Sequence, residues 1–262
     1  MRRWNVGFIA AILLPVAILA GGVLRPQLER STTQAPANKF RLDASEATPV
    51  QEGVMTDRQK RHSKIFKGYQ TYTSGKKLSD LARDKGDTTV IKPMGDMIVP
   101  RNLTLRDYLS KLACTSDLVV VGTVTDKSSQ LIDDGSFVFT DYELSVESVL
   151  KDSKDGPIIG STAITITRVG GAVKINGRLV SAVDFSQRPL FRGKRYLLFL
   201  SFLPDVGAFK NASKWGEDTF EFVGNEMAQV SERDVPLGTS RRVDAAGFMS
   251  ELNHVLGAPC KP

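Results

Sequence analysis

Residues 196–203 read Tyr-Leu-Leu-Phe-Leu-Ser-Phe-Leu, and no other stretch constrains the fold as much. A strand with one apolar face covers one core, whereas a strand apolar on both faces must be covered on both. One face therefore belongs to the interior of a barrel or sandwich, and a helix has to lie over the other. The chain offers that helix near its end. Ala245, Phe248, Met249, Leu252, Val255 and Leu256 form a stripe at helical spacing, with Thr239 or Ser240 as cap and Gly257 as stop. This predicts a helix over about 241–256.

The strands around this element follow from alternation and turn residues. Leu118 to Val124 is apolar and β-branched, and Asp133-Asp134-Gly135 offers a turn. Phe137 and Phe139 lead into Tyr142, Leu144 and Val146, which alternate with Glu143, Ser145 and Glu147; a slip at Thr140-Asp141 has the form of a β-bulge. Ala163 to Thr167 reads as a strand. Asn176-Gly177 is a two-residue hairpin signal between Val173–Ile175 and Leu179-Val180, and a last pair is expected at 219–223 and 226–230. Thr104 with Asp107 has the form of a capping box ahead of Leu105, Tyr108, Leu109 and Leu112, predicting a helix over about 104–113. The expected fold is mainly β with flanking helices (α+β). Six to eight antiparallel strands close most simply as a small barrel, which also removes exposed edges.

Residues 6–24 carry no charge, follow Arg2 and Arg3, and precede Arg25. As a helix this run is about 28 Å long, close to the hydrocarbon thickness, and helix is the conformation that satisfies its backbone there. It fits either an uncleaved anchor reaching Leu24 or a signal peptide with an apolar core from Val6 to Leu19 and a cleavage site at Ala20-Gly21-Gly22. No Cys follows, which excludes a lipid attachment there. Basic residues flank the run on both sides, so charge bias alone leaves the orientation open; a short basic leader before a long domain is the export pattern. Residues 25–55 read as a flexible stalk and 56–101 as a loosely structured basic segment, with the β domain spanning 102–262. Within 56–101 short helices are expected at 56–67, capped by Thr56 or Asp57, and at 78–85. The first carries five basic residues and one acid, a patch for lipid or polyanion or simply a solvated linker helix.

Cys114 and Cys260 are the two cysteines; in an oxidising compartment they would close one long loop, and otherwise they are buried thiols. Chemistry is sparse. His62 and His254 stand far apart, so a zinc set is not expected, nor is any other cofactor. No nucleophile elbow or phosphate loop is present, and the formal charge of +6 suits a solvated surface rather than a nucleic-acid binder. The one basic cluster with a functional reading is Arg188, Arg192, Lys194 and Arg195, at the start of the doubly apolar strand, where it could meet an anionic polymer. Asp141 with Glu143 or Glu147 is the candidate carboxylate pair for a hydrolase. A membrane-tethered module binding a partner protein or envelope polymer is the favoured reading, because no catalytic constellation is visible.

Three segments in order, Asp117-LVVVGTVT, Phe139-Thr-Asp-Tyr142-ELSVESVLK and Phe191-Arg-Gly193-KRYLLFL, resemble secreted or membrane-anchored bacterial proteins of unknown function with an OB-like barrel. The likeness covers about 113–230 and is distantly similar to the netrin and metalloproteinase-inhibitor barrel. It implies fold rather than function, since the inhibitors' N-terminal Cys-x-Cys is missing and Cys114 stands alone.

Overall fold

The computed structural model describes residues 44–51, 53–66, 75–92, 103–153, 155, 158, 163–184, 187–213, 218–230 and 242–260. The apolar run 6–24, the stalk to residue 43, and the caps expected at Thr239 and Ser240 lie outside these residues. Among the described residues no helix is long and apolar enough to cross a membrane. The described residues form a mainly β fold that includes four α-helices.

Two long strands, β3 (Leu118–Leu131) and β4 (Val138–Lys151), form an antiparallel hairpin. β4 pairs β5 (Ala163–Val169), and β3 pairs β8 (Arg195–Leu203). β8 bonds β9 (Ala208–Asn211), which meets β5 in parallel at Ile166 and Phe209. The pairings β3-β4-β5-β9-β8-β3 thus return to their start, a ring of five strands. β10 (Thr219–Val223), β11 (Glu226–Gln229) and β12 (Arg242–Asp244) extend the sheet from β8.

The doubly apolar strand sits where both faces are used. Tyr196, Leu198 and Leu200 join Leu118, Val120, Leu144 and Ile166 in one core. Leu197 and Phe199 point the other way, into a core with α3 (Leu105–Thr115) and α4 (Ala245–Leu256). Fully burying one such side chain is worth about 1.5–3 kcal/mol, so this strand is a principal source of stability. Two helices, not one, cover it. The Thr104 capping box is present, with Asp107 N–H donating to Thr104 Oγ1 at 3.2 Å. α4 begins at Ala245, the first residue of its stripe and four positions later than the expected start at 241. Arg242–Asp244 is a strand on β11, and Asp244 caps the helix by accepting from Gly247 N–H at 2.7 Å.

A second sheet, in the order β1-β6-β7-β2, packs against the far ends of β3 and β4. β6 (Gly171–Ile175) and β7 (Arg178–Asp184) form the Asn176-Gly177 hairpin, with both turn residues at positive φ. β1 (Thr48–Val50) lies parallel to β6, and β2 (Thr88–Lys92) parallel to β7. Helices α1 (Asp57–Ile65) and α2 (Leu78–Lys85) match the two short helices expected in this region. The region is more ordered than its composition suggests, because β1 and β2 are edge strands completed by a hairpin far along the chain. No slip occurs at Thr140-Asp141, where β4 pairs β3 in register; the three register shifts of this ladder lie elsewhere, between Val119 and Val120, Val121 and Gly122, and Val124 and Asp126 of β3. The alternation fails at the start of β4 because Val138, Phe139 and Thr140 are all buried, covered by the second sheet as well as by β3.

Candidate functional site

The basic cluster lies at the start of β8, and three of its members face carboxylates. Arg192 pairs with Asp126 and also donates to the Lys127 carbonyl at 3.3 Å. Lys194 Nζ is 3.1 Å from Glu221, and Arg195 Nε donates to Glu147 at 2.6 Å while its guanidinium covers the Phe222 ring at 4.2 Å. Arg188 lies apart, half-buried on the segment before the strand. The charges are therefore spent locally, and a polyanion would have to displace Asp126, Glu221 and Glu147 to reach them.

The candidate carboxylates are divided in the same way. Glu147 accepts from Thr123 Oγ1 at 2.7 Å and from Arg195; although burial opposes ionisation, these contacts hold its carboxyl below the usual range. Glu143 bonds Thr165 Oγ1 at 3.0 Å and Arg58 at 3.0 Å. Asp141 Oδ1 is 2.8 Å from His62 Nδ1, and His62 is fully buried. The sequence placed His62 on a linker; the fold makes it the key that seats α1 on β4. Thr56 fixes the helix start by a capping box, and Ser63 and Phe66 complete the contact by accepting from Asp133 N–H at 2.6 Å and by stacking 5.7 Å from Phe139. An acid–histidine pair is a familiar base for nucleophilic catalysis. Here Nε2, the nitrogen that would take the proton, is buried with no hydrogen-bond partner among the described residues. The cavities beside Tyr142 and Gly171 are not lined by His62 or Asp141.

A polar group missed by sequence reasoning sits at the end of the ring. Arg168, near the end of β5, is 2% exposed, and its three guanidinium nitrogens have no hydrogen-bond partner among the described residues. Burial pushes the guanidinium down from its ordinary value, against the nearby Tyr142, Asp218 and Tyr196. Asp218 accepts from Ser213 N–H at 2.6 Å and from Asn211, yet burial lifts its carboxyl to about 6. Burial also raises Tyr142 and Tyr196, which stay neutral phenols; Phe191 N–H donates to Tyr196 Oη at 3.1 Å. A charged residue in the alternation Ile164-Thr-Ile166-Thr-Arg168 is the signal that would have found it: it falls on the inward set.

Two cavities of about 10 Å³ adjoin Tyr142 and Gly171, each with room for one water. One is lined by Lys127, Ser129 and Thr140, with Glu46 paired to Lys127 at its edge. Gly170-Gly171 is a close-packed crossing, where Thr140 Oγ1 donates to the Gly170 carbonyl at 2.6 Å. No protein-family model matches the chain, and no curated protein does.

Among the described residues no three of His, Cys, Asp and Glu converge as a metal set. His254 is exposed in the last turn of α4, and Asp133-Asp134 forms a hairpin tip closed by Ser136 N–H donating to Asp134 at 2.8 Å. Cys114 and Cys260 are bonded, with Cα atoms 5.6 Å apart, tying the end of α3 to the chain beyond α4.

Proposed function

We propose that this chain is a membrane-tethered, extracytoplasmic assembly module whose five-strand ring is an OB-like barrel that presents its surface to a partner protein. The observation that carries the reading is the Cys114–Cys260 bond, since such bridges persist in oxidising compartments. The ring of pairings supports the barrel, and the uncharged run 6–24 supports the tether.

The surfaces support a protein partner over a small molecule or a strand of polymer. Barrels of this kind bind oligonucleotides and oligosaccharides across their second and third strands. In this chain those strands are β4 and β5, and α1 lies over them through Asp141, Glu143 and Thr165. The flank formed by β3 and β8 lies under α3 and α4. Val149 and Phe191 are exposed apolar side chains at which contact with a partner can be probed. The alternatives, a hydrolase built on a carboxylate pair or an inhibitor-like secreted protein, gain no support from acids that are each bonded to a different partner.

The test is a full-length chain in a bacterial host, fused at residue 262 to a phosphatase that works only outside the cytoplasm. Phosphatase activity in the membrane fraction is the expected result; activity confined to the medium would leave export but remove the tether. Photo-crosslinkers at Val149 and Phe191 should then yield an adduct with a second protein. A folded, exported chain giving no adduct from either position would overturn the partner assignment.

A further inference from the structure

α1 has two unlike faces. Gln59, His62, Ser63 and Phe66 turn toward the β sheet, and at 100° per residue the opposite direction falls on Asp57, Lys60, Arg61 and Lys64. All four of these are exposed. Lys60 lies 3.5 Å from Asp57, whereas Arg61 and Lys64 have no acidic partner among the described residues. Arg58, between the two faces, is already matched by Glu143 at 3.0 Å. The outward face thus carries three cations against one acid. Three contacts seat this helix against the rest of the domain: the His62–Asp141 bond, Asp133 N–H donating to Ser63, and the Arg58–Glu143 pair.

We infer that this outward face of α1 docks on anionic lipid headgroups and orients the β domain against the membrane. The inference rests on the tethered reading above. Between residue 24 and Ser45 the chain spans at most about 70 Å even fully extended, so a tethered domain never leaves the neighbourhood of the bilayer. Confinement of that kind corresponds to an effective concentration on the order of millimolar, at which a weak surface attraction is sufficient. Each basic side chain close to an anionic leaflet multiplies the docked population about fivefold, and two net charges give about thirtyfold. The attraction is screened beyond about 8 Å at physiological salt, so it acts only when the face lies against the headgroups. A free anionic polymer is the competing occupant. The membrane is favoured because it is the anionic surface the chain itself would bring within reach.

The experiment uses the full chain labelled with a donor dye at Val54→Cys, an exposed position just before α1. It is reconstituted into vesicles of phosphatidylcholine alone or with 30% phosphatidylglycerol, each carrying a headgroup acceptor. Energy transfer should be higher in the anionic vesicles and fall to the neutral value in 0.5 M salt. Lys60→Gln, Arg61→Gln and Lys64→Gln together should abolish the difference while keeping the helix, since Gln is a good helix former. An unchanged circular dichroism spectrum and melting point establish that the variant is folded. Equal transfer in the two vesicle types would overturn the inference, as would loss of the signal on adding polyphosphate without any dependence on lipid charge. Carbonate extraction separates the two readings. A chain washed off by carbonate that still floats with anionic vesicles and not neutral ones supports the basic face and refutes the tether.

Discussion

His62 Nδ1 and Asp141 Oδ1 are 2.8 Å apart, 79 residues distant in sequence, with His62 fully buried. This contact ties α1, in the segment that looked least structured, to β4 in the five-strand ring. Removing one member leaves the other polar group buried without its partner, which costs about 1–3 kcal/mol. His62→Ala also opens a cavity. We expect His62→Ala and Asp141→Ala each to destabilise by about 2–4 kcal/mol, with the double variant well short of the sum. Urea melts of the four proteins measure the coupling; strict additivity would show that the two residues act independently.

The Asp218 carboxyl holds its proton to about 6 in the folded state and to its ordinary value of 3.8 when unfolded. Between those values the folded state binds more protons, so stability falls as pH rises through this window and levels off above it. The full effect is roughly 3 kcal/mol at the cited shift. Asp218→Asn should flatten the decline between pH 4 and 6 relative to the native chain. Parallel slopes in the two proteins, read from denaturation midpoints across that range, would refute the assignment.

The Cys114–Cys260 bond spans 146 residues, and by the chain-entropy argument its loss removes about 5 kcal/mol. Replacing both cysteines by alanine should lower the urea midpoint and steepen the slope, because the unfolded chain without its cross-link exposes more surface. The same midpoint should be reached by the native chain in excess reductant. A native chain insensitive to reductant would show that the bond is absent or adds no stability.

Gly122 and Gly177 should respond differently to alanine. A Cβ at Gly122 would lie 2.5 Å from the Ser145 carbonyl and 2.8 Å from Leu144, so β3 and β4 would have to part. At Gly177 nothing lies within 4 Å, and the cost is that of holding φ at +77°. We expect about 1 kcal/mol for Gly177→Ala and about 3 kcal/mol for Gly122→Ala. Thermal melts giving the reverse order would sink this account of the close β3–β4 approach at Gly122.

What could be read from the sequence was what local pattern determines. The doubly covered strand at 196–203, the Asn176-Gly177 turn, the Thr104 box and the α4 stripe each depend on residues within a dozen positions of one another. Those elements stand where they were expected. β1 and β2 were missed because their hydrogen bonds go to residues of β6 and β7 about 90 to 125 positions later, and short edge strands carry no periodic signature of their own. The apparent bulge at Thr140-Asp141 was a misreading of a strand end packed on both sides. For the site, types were legible and pairings were not. Arg192, Lys194 and Arg195 form a cluster in sequence, yet Asp126, Glu221 and Glu147 reach them from three other strands. His62 and Arg168 acquire their character from burial, which no local window contains.

The parallel pairing of β1 with β6 and of β2 with β7 also sets an order of events. Residues 44–92 are made first, but they have no sheet to join until the hairpin at 171–184 has followed them. Long-range pairings of this kind form slowly, because the intervening loop must close before any contact rewards it. The ring waits too, since β3 pairs β8 from 72 positions (Thr123 to Arg195) to 82 positions (Leu118 to Leu200) later. β1 and β2 wait longer, 125 positions from Thr48 to Val173 and 92 from Thr88 to Val180. Of all the described strands, β1 and β2 stand longest between synthesis and pairing, and they are the strands that any chaperone accompanying this chain would have to shield.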